Sequence, residues 1–309
     1  MPPRVLIPVV ILLALGALGF QALLASMPEG SEPATRRDDD REAASATTLR
    51  QVRSWVYQLQ GLERPGAVDR LVRAPVDLFV LEPTDTVRGS EDFPIRGVVK
   101  RLHARHGDTR RALCLAYVNV GQAEDYRTYW QEAWRPAGAA ETARKGFVLC
   151  PDPEGWEGNY PVAYWDPAWP PILFGSPDAL VDRVLKQGFD GVYLDWVLGF
   201  ADPFVAATAE REGVDPARAM ADLVRALREY ARRTDPDFLV LLQNPGDLID
   251  RVPAVVTWVD GIAQEGLVFQ GAATSDWDSP KACGRRRPED DFWNTPALAR
   301  LLQRYRDRG

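Results

Sequence analysis

The sequence is poor in histidine and cysteine. It contains two histidines, His103 and His106, and three cysteines in 309 residues. A Ser-His-Asp triad or a histidine-based metal site is therefore not expected. The cysteines, Cys114, Cys150 and Cys283, are too few for a disulfide scaffold, and their spacing fits no zinc motif. We predict neither a metal nor an organic cofactor.

The chain also lacks an excess of basic residues. Lys and Arg number 37 against 44 Asp and Glu, which gives a formal net charge of −7. A nucleic-acid-binding protein needs a basic surface to neutralise phosphates, so this class is disfavoured. An acidic surface would instead suit a cationic polymer such as a deacetylated amino-sugar polysaccharide. The hydrophobic fraction of 46% is sufficient for one large core.

One long apolar run stands near the N-terminus, from Val5 to Leu24, and it contains no charged residue. About 20 helical residues can cross a hydrocarbon core of about 30 Å. We expect residues 1–25 to form an uncleaved membrane anchor, and the alternative is a cleaved signal peptide. Residues 26–47 show no apolar period and predict a disordered linker. Both alternatives predict that residues 48–309 form an exported domain facing the periplasm or the exterior.

Beyond residue 50, short apolar runs alternate with amphipathic stretches. Repeated strand-then-helix order predicts a parallel sheet with right-handed crossovers. No G-x-G-x-x-G turn follows the first strand, so an α/β barrel is favoured over an open doubly wound sheet. The candidate strands are Trp55–Leu59, Val76–Leu81, Ala112–Val118, Phe147–Leu149, Gly191–Leu194, Phe238–Leu242 and Gly261–Gln264. The candidate helices are Pro94–Arg105, Pro177–Gln187, Pro216–Arg232 and Thr295–Arg306.

Polar residues follow several of these strands at their carboxyl ends, and Asp195 and Glu265 are the two main carboxylates among them. In a parallel α/β barrel the carboxyl ends of all strands gather at the face where substrates bind. The alternative for each carboxylate is to cap a helix or to bind an arginine. Glu82, which precedes Pro83, is more typical of a structural residue.

Aromatic side chains concentrate between Trp130 and Trp169, where five of the ten tryptophans lie. Residues 158–169 form an irregular segment punctuated by proline. Aromatic faces stack on the apolar faces of sugars, whose hydroxyls need amides and carboxylates around them. We therefore predict Trp165 or Trp169 as a stacking platform. The alternative is that these rings pack the loop onto the rim of the barrel.

Six segments, in the same order, resemble those of glycoside hydrolase family 114. That family contains endo-α-1,4-polygalactosaminidases and related barrel hydrolases, and the resemblance covers about residues 50–309. The segments are Trp55–Gln60, Ala116–Arg127, Asn159–Trp169, Gly188–Asp195, Gln243-Asn244 and Gln264-Glu265.

This resemblance implies a (β/α)8 TIM-type barrel that cleaves a polysaccharide of α-1,4-linked galactosamine or N-acetylgalactosamine. It also implies that Asp195 and Glu265 form the acid pair. Relatives continue with an eighth strand after the helix that ends here near Arg306, so we expect a barrel that lacks its eighth strand.

Glycosidic bond hydrolysis needs a proton donor at the leaving oxygen and an anion near the anomeric carbon. We assign the anionic, nucleophilic role to Asp195 and the acid/base role to Glu265. Two other functions stay open, a non-catalytic glycan-binding barrel and a membrane-tethered interaction domain. The residues predicted to bind the substrate are Gln58, Tyr117, Asn119, Glu124, Tyr164, Trp165, Asp166, Trp169, Tyr193, Gln243 and Asn244.

Overall fold

The computed structural model describes residues 49–104, 111–136, 146–153, 155–267, 269–271, 283–285 and 295–308. The predicted anchor at 1–25 and the predicted linker at 26–47 lie outside these residues. Within the described ranges, no helix has both the length and the apolar character needed to cross a bilayer.

Six parallel strands form the main sheet of the described part of the chain, in the order β1-β2-β3-β6-β7-β8. Two small antiparallel pairs, β4 with β5 and β9 with β10, lie outside it. The strands are β1 (Trp55–Gln58), β2 (Leu78–Leu81), β3 (Leu113–Asn119), β4 (Gln122–Glu124), β5 (Asn159–Pro161), β6 (Gly191–Asp195), β7 (Leu239–Gln243), β8 (Gly261–Ala263), β9 (Phe269–Gly271) and β10 (Cys283–Arg285).

The main sheet curls into a half-barrel with helices packed around it, and this confirms the predicted incomplete (β/α) barrel. Parallel neighbours need crossover connections, which the helices supply. The helices are α1 (Ala67–Arg73), α2 (Ile95–His103), α3 (Pro170–Leu173), α4 (Leu180–Gln187), α5 (Pro203–Arg211), α6 (Pro216–Ala231), α7 (Leu248–Arg251) and α8 (Thr295–Arg308). Short 3-10 helices occupy Leu49–Gln51, Thr84–Thr86, Glu132–Trp134, Val197–Ala201 and Pro253–Thr257.

Helix capping follows the sequence closely at α6 and less closely at α4. The Asp215 carboxylate accepts hydrogen bonds from the N–H groups of Ala217 and Arg218, and Pro216 takes the first helical position. By contrast, α4 begins at Leu180, three residues after the proline that was predicted to start it. The four predicted helices are otherwise confirmed to within a few residues at each end.

The predicted strand at Phe147–Leu149 is not part of the main sheet. β3 pairs directly with β6, so no position remains between them. Val148 instead makes an isolated antiparallel bridge with Val162, beside the small β4–β5 pair. A short apolar run indicates that a segment is buried, but it does not indicate which strand the segment pairs with. This explains the error.

Side chains on the main sheet alternate between two apolar clusters. Phe79 and Leu81 belong to the large core under the helices, whereas Leu78 and Val80 belong to the cluster inside the curl. Period-two alternation produces this separation. The inner cluster also contains three tyrosines, Tyr57, Tyr117 and Tyr193. Tyr117 and Tyr193 pair in register, two residues before the polar pair at the carboxyl ends of β3 and β6.

Candidate active site

Asp195 and Glu265 lie at the carboxyl edge of the half-barrel. Asp195 is the last residue of β6, and Glu265 follows the end of β8 by two residues, with β7 between these strands. Both side chains are partly exposed. The structure therefore places the two predicted catalytic carboxylates on one side of the fold.

Both oxygens of Asp195 accept hydrogen bonds. The backbone N–H of Trp196 donates to Oδ1 at 2.7 Å, and the hydroxyl of Tyr117 donates to Oδ2. Trp196 adopts a left-handed conformation with φ of 59°. A Cβ atom at Gly121 would lie 2.5 Å from the Trp196 carbonyl oxygen, and one at Gly199 would lie 2.3 Å from its ring. The two glycines thus make room for the turn that orients Asp195.

Glu265 is held by amides. Asn244 Nδ2 donates to Glu265 Oε2 at 2.9 Å, and the Glu265 backbone N–H donates back to Asn244 Oδ1 at 2.8 Å. Gln264 Nε2 also donates to Asn244 Oδ1, at 3.0 Å. Gln243 contributes a further side-chain hydrogen bond to Glu265. Neutral donors therefore surround this carboxylate.

The pKa values of both carboxyls are raised. Burial raises the pKa of Asp195, the charge of Glu265 raises it further, to about 7, and the bonds from Tyr117 and Trp196 act against this shift. Burial likewise raises the pKa of Glu265, against the bonds from Asn244 and Gln243. In the described ranges, neither carboxylate makes an ion pair with Arg, Lys or His. A like charge without a neighbouring cation disfavours ionisation of the second carboxyl.

Tyr57 lies beside both carboxylates, although the sequence did not single it out. Burial raises the pKa of its hydroxyl, and the charges of Asp195 and then Glu265 raise it further. Its ring contacts those of Tyr193 and Tyr117, with centroids 5.7 and 6.3 Å apart. The sequence signal for it was the alternation of Trp55, Tyr57 and Leu59, which runs through β1 and one residue past its end.

The prediction for Gln58 needs correction. Gln58 pairs in register with Leu81, which packs under the helices, so Gln58 also faces the helix side of the sheet. Its amide donates to the carbonyl oxygen of Gln60. Adjacent residues of a strand face opposite sides, so choosing Gln58 over Tyr57 selected the wrong face.

Two aromatic residues predicted to bind sugar are instead packing residues. The Trp169 side chain is fully buried, and its Nε1–H donates to the Val120 carbonyl at 2.9 Å. Tyr164 is 2% exposed, and its hydroxyl donates to the Pro216 carbonyl at 2.8 Å. Sugar stacking needs an exposed aromatic face, so the structure does not bring these two rings to a substrate. Loop packing, the alternative considered from the sequence, explains both.

Trp165 and Asp166 differ from these two. Trp165 is partly exposed, and its Nε1–H donates to Glu212 at 2.7 Å. It is therefore the member of the predicted platform that keeps an accessible surface. The Asp166 carboxylate accepts a hydrogen bond from the Ala168 N–H at 2.9 Å, which stabilises the turn that follows.

Among the predicted strand-end residues, Glu124 and Asn119 are engaged within the protein. Glu124 is 1% exposed and binds Arg127 at 2.6 Å. Asn119 Oδ1 accepts hydrogen bonds from the N–H groups of Gly121 and Gln122, at 3.2 and 2.8 Å. These contacts shape the loop after β3, so the structure gives both residues a scaffolding role. Tyr117, Tyr193, Gln243 and Asn244 remain grouped with the acid pair by the contacts above.

A separate group of side chains around Asp190, just before β6, has the composition of a metal site. In the described part of the chain, the ligand atoms of His103, Cys114 and Asp190 fall within 4.8 Å of one another. Asp190 already binds Arg111 at 2.5 Å and His103 at 2.9 Å. Burial would raise the pKa of Asp190, but the hydrogen bonds from His103 and Arg111 lower it. A neighbouring guanidinium repels a cation, so this cluster fits an ion pair better than a metal site.

The sequence pattern of glycoside-hydrolase family GH114 matches residues 36–275. The chain belongs to this family. It is 33% identical over 218 residues to an uncharacterized protein of Deinococcus radiodurans, a match that covers 70% of this chain and 61% of that protein. An uncharacterized protein of Thermotoga maritima is 37% identical over 156 residues, which cover 50% and 44% of the two chains. The chain thus spans less than two thirds of the length of either relative.

A solved structure supports the fold of this GH114 member. The glycoside hydrolase domain of PelA from Pseudomonas aeruginosa superposes with a TM-score of 0.52 and 19% identity. The superposition covers 84% of this chain and 81% of that domain. At this level of identity the similarity establishes the barrel-type architecture alone.

Proposed function

We propose that this protein is a glycoside hydrolase that cleaves a galactosamine-containing polysaccharide by a two-carboxylate mechanism. The observation that carries the proposal is the pair Asp195 and Glu265 at the carboxyl edge of the sheet, buried enough to interact and held by neutral donors. Membership of family GH114 supports the same reaction class. Substrates of parallel α/β barrels bind at this edge.

Two carboxyls with raised pKa values can supply a proton and a negative charge, which are the two things that glycosidic cleavage needs. In the proposed mechanism Glu265 donates its proton to the leaving oxygen as the bond to the anomeric carbon breaks. Asp195 supplies the anion that meets the developing oxocarbenium ion. Its two oxygens both accept hydrogen bonds, which act against the burial that raises its pKa. Glu265 then accepts a proton from the attacking water.

The amino-sugar substrate is proposed from the family resemblance and from the chemistry of the site. A galactosamine ring carries hydroxyl and ammonium donors, which need acceptors around them. Oε1 of Gln243 and Oε1 of Gln264 are buried acceptors without a hydrogen-bond partner among the described residues. Together with the charge of the acid pair, they favour a ligand that is rich in donors or cationic. Trp165 supplies the accessible aromatic surface.

The first test is hydrolysis of α-1,4-galactosaminan, acetylated and deacetylated, by the full-length protein. Asp195→Asn and Glu265→Gln are each expected to lower kcat by about 10³-fold or more, because each removes a group needed in the transition state. Asp222→Asn, on an exposed face of α6, is the matched control and is expected to keep wild-type activity.

An aryl α-galactosaminide with an acidic phenol as leaving group separates the two roles. Such a leaving group needs little protonation, so Glu265→Gln should recover activity on it, whereas Asp195→Asn should not. Recovery by Asp195→Asn alone would reverse the assigned roles. Either variant keeping more than about a tenth of wild-type activity on the polymer would contradict the two-carboxylate mechanism.

A further inference from the structure

Two residues other than glycine have a positive φ in the described ranges, Trp196 at 59° and Asn244 at 46°. Each directly follows a strand of the main sheet, and each bonds to one member of the acid pair. Side chains with a Cβ atom rarely adopt this conformation, which persists where surrounding contacts enforce it, often at functional sites. Asparagine tolerates it better than most residues.

The Asn244 amide is nearly saturated by the protein. Its Oδ1 accepts two hydrogen bonds, from the Glu265 N–H and from Gln264 Nε2, and its Nδ2 donates to Glu265 Oε2. An amide offers two acceptor positions and two donor hydrogens, so three of the four are used. The Asn244 backbone N–H also donates to the Ala263 carbonyl at 2.8 Å, which ties the turn after β7 to β8.

We infer that Asn244 is a positioning residue that fixes the orientation of Glu265 and weakens its hold on the proton, and not a residue that binds the sugar. The double contact, to the backbone N–H and to the carboxylate of one residue, restrains both ends of the glutamate. The consequence for catalysis rests on the proposed function, whereas the effect on Glu265 itself does not. Gln264 acts behind Asn244, because its amide orients the Asn244 oxygen.

Titratable groups on neighbouring strands are coupled to Glu265. Its charge raises the pKa values of Asp195 and Tyr193 on β6 and of Tyr57 on β1. Only Asp195 among these changes charge near neutral pH. Titrations of Glu265 are therefore compared in a background where Asp195 is replaced by Asn as well as in the wild type.

The test uses Asn244→Gly and Asn244→Asp in the full-length protein. Glycine keeps the left-handed turn without the amide, so it isolates the side-chain contacts from the backbone conformation. Aspartate keeps an acceptor for the Glu265 N–H but places a second anion beside its carboxylate. The titration midpoint of Glu265 is read by carboxyl ¹³C NMR, with the resonance assigned by its loss in Glu265→Gln. Asn159→Asp is the matched control, because the Asn159 amide donates to Gln122 and not to Glu265.

The midpoint of Glu265 is expected to rise in Asn244→Gly and to rise further, by about one unit or more, in Asn244→Asp. The kcat of Asn244→Gly on the polymer is expected to fall about 10- to 100-fold with KM within about threefold, because a misplaced group reacts poorly while the sugar still binds. Asn159→Asp should leave the midpoint unchanged.

An unchanged midpoint in both Asn244 variants would overturn the inference, as would a loss seen in KM alone. A wild-type protein without hydrolase activity would count against the proposed function only. The titration would still decide the role of Asn244 in that case.

Discussion

Two clusters of carboxylates lie near strand ends, and they differ in their counter-charge. In the first, Glu82 and Glu124 both bind Arg127, which is 1% exposed and also donates to Thr86. In the second, Asp195 and Glu265 have hydroxyl, amide and backbone N–H donors but no cation among the described residues.

The two clusters therefore differ in what lies beside their carboxylates, a guanidinium in the first and neutral donors in the second. Arg127 compensates the charge of the first cluster, whose two acids are buried. In the second cluster burial raises the pKa of both acids, and the charge of Glu265 raises that of Asp195 further.

Removing Arg127 tests whether the first cluster depends on its cation, and it has the largest expected effect on stability. Arg127→Met should lower the free energy of unfolding by about 3–5 kcal/mol, because two buried glutamates lose their partner. Arg218→Met, which removes an exposed pair with Asp222 on α6, should cost less than about 1 kcal/mol. Urea denaturation followed by circular dichroism measures both values. If the two variants lose the same free energy of unfolding, Arg127 stabilises its cluster no more than Arg218 stabilises an exposed ion pair.

The pH dependence of stability sharpens the same contrast. The pKa of Asp195 is about 7 in the folded protein, above the unfolded value of 3.8, so the folded state binds the extra proton between these values. The free energy of unfolding of the wild type therefore falls as the pH rises from about 4 to about 7, because the folded state loses this proton. Asp195→Asn should be more stable than the wild type at pH 8, by about 1–3 kcal/mol, and nearly equal to it at pH 4. Urea midpoints across this range test it, and a constant difference between the two proteins would contradict it.

The smallest expected effect comes from the donor to Asp195. Tyr117→Phe removes the hydroxyl that bonds Oδ2 but keeps the ring in the inner cluster. The expected loss is about tenfold in kcat/KM, equivalent to about 1.4 kcal/mol, with the pKa of Asp195 moved upward. The pH–rate profile measures both. Tyr230→Phe, which removes a partly buried hydroxyl that donates to Asp182 instead, should leave the profile unchanged.

Much of the fold was predictable from local patterns. The strands of the main sheet and helices such as α6 follow from apolar runs, periodicity and capping residues, which act between near neighbours in the chain. The positions of Asp195 and Glu265 at strand ends were predictable for the same reason, since parallel order brings all such ends to one edge.

Local sequence patterns thus predicted the order of the elements and the edge of the sheet at which Asp195 and Glu265 lie. Only the tertiary structure decided that Tyr57 and not Gln58 faces the site, that Trp169 is buried, and that Arg127 neutralises Glu124. These outcomes depend on strand register, on burial and on ion pairs such as Arg127 with Glu82, 45 residues apart. Such contacts arise only when the chain has folded, because no periodicity in the sequence encodes which distant groups will meet.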